Sequence, residues 1–332
     1  MTRTDSAETT DEAAADLAAE AALLEIAEEL GLSDLLDGAE PFTLEQAADL
    51  AAVPAPGAAA YLGALVSAGL VEQAAQGGPY TPVADLADRR YRAGYLSWAL
   101  NANRPYIDHA ALFLRDPETA GGKYARDGRR VAVSSRWIGS RGFYPGVVEE
   151  ITSGAPRRVV DLGAGAAGLL VRLLRELPDS TGVALDLSAA ACDEARRAAR
   201  QAGLADRLDV VHRSVESLAD DPAPVRGADV VHAGFVLHDV VGRPEVLDGV
   251  LRACRESLAE GGRMVVTDAV PYAPDPRERA FSALFSYLHA SSMDVDLPPE
   301  QVWHEAFRRA GFTEVSSSPQ RMPGSRVFVA AG

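Results

Sequence analysis

The chain has 332 residues, of which 47% are hydrophobic and 24% charged, as expected for a globular protein with room for two domains. A net charge of −16 opposes binding to a nucleic-acid backbone, and no apolar run is long enough to cross a membrane. The acidic N-terminus differs from a signal peptide, and Cys192 and Cys254 lack metal-ligand spacing. We therefore expect a cytoplasmic protein with buried thiols, which binds neither nucleic acid nor a membrane.

The N-terminal part predicts helices followed by a β-hairpin. Apolar residues at helical spacing predict helices within 11–36. Thr43 and Gln46 have capping-box spacing, which predicts a helix from there to about Ala52. The remaining signals, in chain order, are a helix over 54–68, a strand over 70–73, a Gly-Gly turn at 77–78 and a strand over 80–82. Helix, helix and hairpin in this order are typical of a winged helix.

The charges of this region favour dimerisation over DNA binding. No Lys, Arg or His occurs between Thr4 and Asp88, and the helix over 54–68 has no charged residue. A helix that reads the major groove needs Arg, Lys, Asn or Gln. We interpret residues 1–92 as a winged-helix-like dimerisation domain of a homodimer. A DNA-binding or non-catalytic regulator is the alternative.

Residues 93–148 are predicted to be mostly helical and are rich in aromatic side chains. They are expected to link the two domains and to cover a substrate. The alternative is that most of these aromatic side chains belong to the core.

From Arg157 onward the sequence alternates between strands and helices, which predicts an α/β domain over residues 149–332 with a parallel sheet. The last two strands are close in sequence and are expected to pair antiparallel at the end of the sheet. The seven predicted strands cover 158–161, 182–186, 209–212, 230–234, 263–268, 313–317 and 327–330.

The first of these strands ends in a glycine-rich turn. Asp161, Gly163, Gly165 and Gly168 form D-x-G-x-G-x-x-G between the strand and a helix. Glycines allow a sharp turn and close approach to a ligand, and the helix start adds N–H groups. The segment resembles motif I of class I S-adenosylmethionine (SAM) methyltransferases, which have a Rossmann-like seven-stranded fold. The resemblance implies SAM as cofactor, with Asp161 facing its amine and sulfonium. The alternative is a glycine turn without a ligand.

Two further residues are candidates for contacts with the cofactor. Asp186 ends the second strand about 20 residues past the glycines, where an acid accepts hydrogen bonds from ribose hydroxyls. Its alternative role is a helix N-cap. Ser214 follows the third strand, where related methyltransferases usually have an Asp that contacts adenine. Ser214 is expected to bond to the adenine ring instead.

His238 and Asp239 follow the fourth strand and face the expected position of the methyl group. Together with the winged helix and motif I, they make residues 20–332 resemble plant-type and bacterial small-molecule O-methyltransferases. In that family the His that matches His238 is the general base that deprotonates a phenol. The alternative is a structural histidine that orients the loop.

Two departures from that family suggest a smaller group. Val240 stands where the family usually has Trp, and His289 is an additional histidine at a helix end. Both features resemble the metal-binding α-keto acid C-methyltransferases of peptide-antibiotic pathways, such as the phenylpyruvate C-methyltransferase of mannopeptimycin biosynthesis. The resemblance implies that His238 and His289 bind a divalent metal and that Arg126 binds the substrate carboxylate. The alternative for His289 is a satisfied polar residue.

The first hypothesis is therefore a SAM-dependent C-methyltransferase that acts on the β-carbon of an aryl- or branched-chain α-keto acid. Iron or zinc would stabilise the enolate, and Asp239 would orient His238 or bind a metal-bound water. The alternative is an O-methyltransferase of a phenol or polyketide hydroxyl, with His238 as general base. The other histidines are interpreted as structural: His109, His212, His232 and His304.

Overall fold

The computed structural model describes residues 5–38, 40–271 and 279–332. They form two compact units. The first contains the described part of Met1–Leu112 together with Gly122–Arg141, and the second contains Phe113–Gly121 and the described part of Gly142–Gly332. The helical segment 93–148 thus contributes to both units. The division into residues 1–92, 93–148 and 149–332 stays a prediction.

Residues 5–152 are mainly helical, with one hairpin. In chain order the elements are α1 (Asp5–Glu29), α2 (Ser33–Asp37), α3 (Leu44–Ala51), α4 (Ala55–Ser67), β1 (Val71–Gln73), β2 (Tyr80–Pro82), α5 (Leu86–Leu96), a π-helix (Ser97–Ala102), α6 (Arg104–Asp108), α7 (Ala110–Arg115), α8 (Pro117–Gly121), α9 (Gly128–Gly142) and α10 (Tyr144–Thr152).

The predicted helix, helix and hairpin are confirmed. Thr43 Oγ1 accepts the Gln46 N–H at 3.2 Å, and Gln46 Oε1 accepts the Thr43 N–H at 2.8 Å, which completes the capping box. Helix α3 is capped at its C-terminus by Ala52, whose φ of 52° is left-handed. Strands β1 and β2 pair antiparallel. No single helix of the described residues is long and apolar enough to span a membrane; α3 and α4 meet that test only as a pair bent by 113°.

The second unit is built around a seven-stranded sheet. The strands are β3 (Arg158–Leu162), β4 (Thr181–Asp186), β5 (Leu208–His212), β6 (Ala228–Gly234), β7 (Leu258–Ala269), β8 (Glu314–Pro319) and β9 (Ser325–Ala331). Their order is β5-β4-β3-β6-β7-β9-β8. The pairs β7–β9 and β8–β9 are antiparallel and the others are parallel. All seven predicted strands and the antiparallel final pair are confirmed.

Helices cover both faces of this sheet, which explains why its strands are apolar on both sides. They are α11 (Gly168–Glu176), α12 (Ala189–Gln201), α13 (Pro244–Ser257), α14 (Arg279–Ser292) and α15 (Glu300–Arg309). Val160 and Val231 belong to the core on one face, and Val159 and Val230 to the core on the other. The chain order reverses between β3 and β6, and in such sheets ligands bind beyond the carboxyl ends of the strands at this reversal.

Candidate active site

The glycine turn after β3 is closed by backbone hydrogen bonds. The N–H groups of Gly163 and Ala164 both donate to the Leu185 carbonyl, at 2.8 and 3.0 Å. Gly163 has a φ of 69°, and a Cβ at this position would lie 2.8 Å from Val236 Cγ2. Gly163 is therefore required both by its left-handed backbone and by the close approach of the segment that follows β6.

Beyond Gly163 the turn faces open space. A Cβ built on Gly165 or on Gly168 would meet nothing within 4 Å. Gly165 has a φ of 54°, and Gly168 is the first residue of α11, whose first N–H groups lack partners within the helix. A glycine-rich turn that opens onto a helix N-terminus suits a ligand that comes close to the backbone. These residues fit the predicted binding of SAM.

Asp186 stabilises this turn from the end of β4. Its Oδ2 accepts the Gly165 N–H at 2.9 Å, and its Oδ1 accepts the Ser188 N–H at 2.8 Å. Ser188, rather than Asp186, is the N-cap of α12, because its side chain accepts the Ala191 N–H. Asp186 therefore orders the loop around the candidate cofactor site. A contact between Asp186 and ribose stays a prediction.

Asp161 is hydrogen-bonded to His232, a histidine that the sequence predicts to be structural. Asp161 Oδ1 lies 2.7 Å from His232 Nδ1, and both side chains are buried. The two residues are 71 positions apart but pair in register between β3 and β6. The alignment of two strands was the only signal that could have identified His232.

Ser214 follows β5 and is half-buried. It is the N-cap residue of a short 3₁₀ turn, Val215–Ala219, and its carbonyl accepts the Ser217 Oγ–H at 2.6 Å. The preceding residue, Arg213, donates its N–H to the Asp186 carbonyl at 2.9 Å, so Ser214 follows directly on the pairing of β5 with the end of β4. Its contact with adenine stays a prediction.

His238 lies in a 3₁₀ turn, Leu237–Val240, that follows β6. Its Nδ1 is 2.7 Å from Oδ1 of Asp268, which is fully buried near the end of β7. A carboxylate only accepts hydrogen bonds, so Nδ1 donates and the neutral ring has its lone pair on Nε2. The sequence predicts that Asp239 orients His238 or binds a metal-bound water. The Asp239 side chain is 64% exposed, and its Oδ1 lies 3.5 Å from His238 Nε2. Asp268 is the orienting residue that was missed.

The second predicted metal ligand, His289, lies close to His238. Their ring centroids are 5.4 Å apart and the rings are nearly perpendicular. His289 Nδ1 is 2.7 Å from the Phe285 carbonyl, which fixes Nδ1 as the donor in this ring as well. No group of three or more His, Cys, Asp or Glu side chains that could hold a metal occurs among the described residues.

Aromatic rings adjoin this pair of histidines on the side of His289. Phe285 stacks on His289 with centroids 4.1 Å apart, and Phe235 lies 5.0 Å from Phe143. Phe235 has a left-handed φ of 52°, and its N–H donates to the Thr267 carbonyl at 2.8 Å. A left-handed phenylalanine is costly by roughly 1–2 kcal/mol, and such strain is concentrated at functional sites.

Arg126 belongs to the first unit, where it is exposed in the loop before α9. His238 and His289 belong to the second unit. A contact between Arg126 and the substrate carboxylate stays a prediction.

Residues 160–264 match a family model described as a methyltransferase domain. The chain is 36% identical over 130 residues to aclacinomycin 10-hydroxylase RdmB of Streptomyces purpurascens, which covers 39% of this chain and 33% of that protein. It is also 36% identical over 127 residues to 2,7-dihydroxy-5-methyl-1-naphthoate 7-O-methyltransferase of Streptomyces carzinostaticus, which covers 38% of this chain and 36% of that enzyme. The chain thus spans about a third of the length of these curated relatives.

The structure of human N-acetylserotonin methyltransferase in complex with SAM is similar over the whole chain, with a TM-score of 0.60 and 18% identity. The match covers 100% of this chain and 99% of that one. The predicted fold is confirmed: a Rossmann-like methyltransferase fold with a seven-stranded sheet and a helical N-terminal region. None of these three proteins is named as an α-keto acid C-methyltransferase, so the comparisons do not support the predicted closeness to that group.

Proposed function

We propose that the protein is a SAM-dependent methyltransferase that acts on a hydroxyl group of a phenol or an aromatic polyketide. The observation that carries the proposal is the buried hydrogen bond between His238 Nδ1 and Asp268 Oδ1. The pair lies at the carboxyl ends of β6 and β7, where a base is needed. Val236, two residues before His238, closely approaches Gly163 of the candidate cofactor turn.

The cofactor site is assigned to residues at and after the carboxyl ends of β3, β4 and β5. When bound, SAM supplies a sulfonium-activated methyl group. Gly163, Gly165 and Gly168 let the backbone approach the ligand, while Asp161 offers a carboxylate to its ammonium group. Asp186 orders the turn, and its place at the end of β4 also suits contact with ribose hydroxyls. Ser214 completes the set beside the adenine.

His238 is proposed as the general base. Asp268 holds the Nδ1–H, so Nε2 accepts the hydroxyl proton and Asp268 then stabilises the imidazolium that forms. The resulting oxyanion is the nucleophile for the methyl group. Proton transfer to a positioned base contributes about 10²–10⁴-fold to a rate.

The relatives favour a hydroxyl substrate over an α-keto acid. The Streptomyces carzinostaticus enzyme is named for 7-O-methylation of a dihydroxynaphthoate, a flat aromatic molecule. The rings of Phe143, Phe235 and Phe285 offer this chain a surface for such a substrate. RdmB, by contrast, is named as a hydroxylase, so an assay must distinguish the two outcomes.

The test is mass spectrometry of hydroxynaphthoates and phenols incubated with the protein and SAM. We expect a product that gains one CH₂ unit, and a His238→Ala variant whose kcat falls by about 10²–10⁴-fold. Binding of S-adenosylhomocysteine by that variant should be unchanged, because His238 is not placed in the cofactor site. A gain of one oxygen atom, or full activity in His238→Ala, would contradict the proposal.

The geometry of His238 and His289 favours C-methylation of an α-keto acid as a second candidate. Both rings have Nδ1 fixed by a hydrogen bond, which is how metal-binding histidines are usually oriented. Iron or zinc would be bound by these two imidazoles, and Arg126 would bind the substrate carboxylate. Two imidazoles do not make a complete metal site, so further ligands would have to come from the substrate and water.

Metal analysis of the purified protein, together with a panel of aryl- and branched-chain α-keto acids, tests this second candidate. The second candidate requires near-stoichiometric metal in the wild-type protein and loss of that metal in His289→Ala. It also requires methylation of a keto acid, and EDTA must abolish this activity. Metal-free protein that methylates a phenol in the presence of EDTA would eliminate it.

A further inference from the structure

A polar pair interrupts an otherwise apolar row of the central sheet. Asp161 and His232 pair in register on β3 and β6, and the neighbours in the same row are the buried residues Ala184 and Val265. The two polar side chains are 6% and 5% exposed. Burying a carboxylate and an imidazole in such a row is unfavourable compared with apolar residues, so packing alone does not account for the pair.

The hydrogen bond determines which ring nitrogen carries the proton. Asp161 Oδ1 accepts, so His232 Nδ1 donates and the neutral ring has its lone pair on Nε2. His232 Nε2 is buried and has no hydrogen-bond partner among the described residues. Within the described part of the chain, the only hydrogen-bond partner of the ring is thus Asp161 Oδ1.

Only one oxygen of Asp161 is used in this bond. Within the described part of the chain, Asp161 Oδ2 has no hydrogen bond, and it is not among the fully buried polar atoms. Gly163 follows two residues later and starts the turn assigned to the cofactor. His232 thus holds Oδ1 while Oδ2 stays accessible beside that turn.

The sequence also makes room for the histidine ring. A Cβ on Gly234, two residues after His232 on β6, would lie 3.1 Å from His232 Cε1. That separation is tighter than ordinary packing allows, so the ring occupies the space above Gly234.

We propose that His232 is a positioning residue that acts through Asp161 on recognition of the charged amino-acid end of the cofactor. It fixes the carboxylate so that Oδ2 points to a ligand ammonium group. The inference rests on the proposed function, because it assumes that the glycine turn binds SAM. It identifies a determinant that lies outside the glycine motif itself.

The test compares two ligands and two variants by isothermal titration calorimetry. S-adenosylhomocysteine carries the amino-acid end, whereas 5′-methylthioadenosine keeps the nucleoside and the sulfur but lacks that end. His232→Phe keeps a ring without a donor, and His232→Asn keeps an N–H donor near the position of Nδ1. We expect His232→Phe to weaken the binding of S-adenosylhomocysteine about tenfold or more, and the binding of 5′-methylthioadenosine less than about twofold. His232→Asn should restore most of the loss.

A double-mutant cycle shows whether His232 acts through Asp161. In an Asp161→Asn background, His232→Phe should cause little further loss of S-adenosylhomocysteine affinity. Equal losses for the two ligands, no loss in His232→Phe, or no restoration in His232→Asn would overturn the inference alone. A wild-type protein that binds neither ligand would overturn the proposed function and this inference with it.

Discussion

At the scale of single residues, Asp268 decides whether His238 can act as a base. The Asp268 carboxylate is fully buried and accepts both the His238 Nδ1–H and the Ala269 N–H. We predict that Asp268→Asn lowers kcat by about 10²–10⁴-fold, because an amide does not hold the required tautomer or stabilise the imidazolium. Steady-state kinetics with a hydroxynaphthoate substrate measure the effect.

Asp239→Asn is the matched control for this prediction. Asp239 is mostly exposed, and its Oδ1 lies 3.5 Å from His238 Nε2. The expected change in kcat is less than about threefold, because exposed ion pairs contribute little. A larger loss in Asp239→Asn than in Asp268→Asn would reverse the two roles.

Gly163 provides a second prediction at the scale of one residue. Gly163→Ala should destabilise the second unit by about 1–2 kcal/mol, because alanine is strained at a left-handed φ. The contact of its Cβ with Val236 Cγ2 should add to this cost and displace the turn, so that affinity for SAM falls. Urea denaturation and calorimetry measure the two effects. Gly168→Ala is the control for stability, since its Cβ meets nothing within 4 Å. Equal stability losses in both variants would contradict this explanation.

At the scale of elements, the capping box of α3 shows how a local signal becomes structure. Thr43→Ala removes the acceptor of the Gln46 N–H and should destabilise this helix by about 1 kcal/mol. Hydrogen exchange followed by mass spectrometry should show faster exchange in α3. Thr43→Ser keeps the oxygen and should preserve protection. Unchanged exchange in Thr43→Ala would mean that tertiary packing alone holds α3.

Strand β7 is longer than its local sequence predicts. The sequence predicted a strand over 263–268, whereas β7 covers Leu258–Ala269. Gly261 and Gly262 interrupt the apolar pattern and resemble a turn, but the pairing with β6 continues through a register shift between Ala228 and Val230. A bulge of this kind depends on the partner strand and is not visible in the local sequence.

At the scale of the whole molecule, burial controls the chemistry of the two cysteines. Burial raises the pKa of Cys254 to about 12, and burial is also the largest cause that raises the pKa of Cys192. The thiolate is the reactive form, and a raised pKa lowers its fraction at pH 8. We predict that neither thiol of the native protein reacts rapidly with Ellman's reagent at pH 8, whereas both react in urea. Rapid reaction of one native thiol would contradict this.

The assembly of the protein is also a prediction for the whole molecule. Leu50 and Leu100 of the first unit are about half exposed, and the region between Thr4 and Asp88 lacks cationic side chains. We predict a homodimer with an apolar interface. Its mass from sedimentation equilibrium should be about twice the 35.0 kDa of the chain, even at high salt. Gel-shift experiments with genomic fragments should show no DNA binding. A monomer at micromolar concentration, or a shifted fragment, would contradict these expectations.

The sequence by itself determined the seven strands, the capping box and the glycine turn, because each depends on residues close together in the chain. It also identified Asp161, Asp186 and His238 as candidates from their positions at or after the ends of strands. Only the tertiary structure paired Asp161 with His232, 71 residues away, and His238 with Asp268, 30 residues away. Those partners depend on which strands lie side by side and in which register, and one-dimensional spacing does not record this. The change from a lone histidine to an oriented base is therefore a property of the fold.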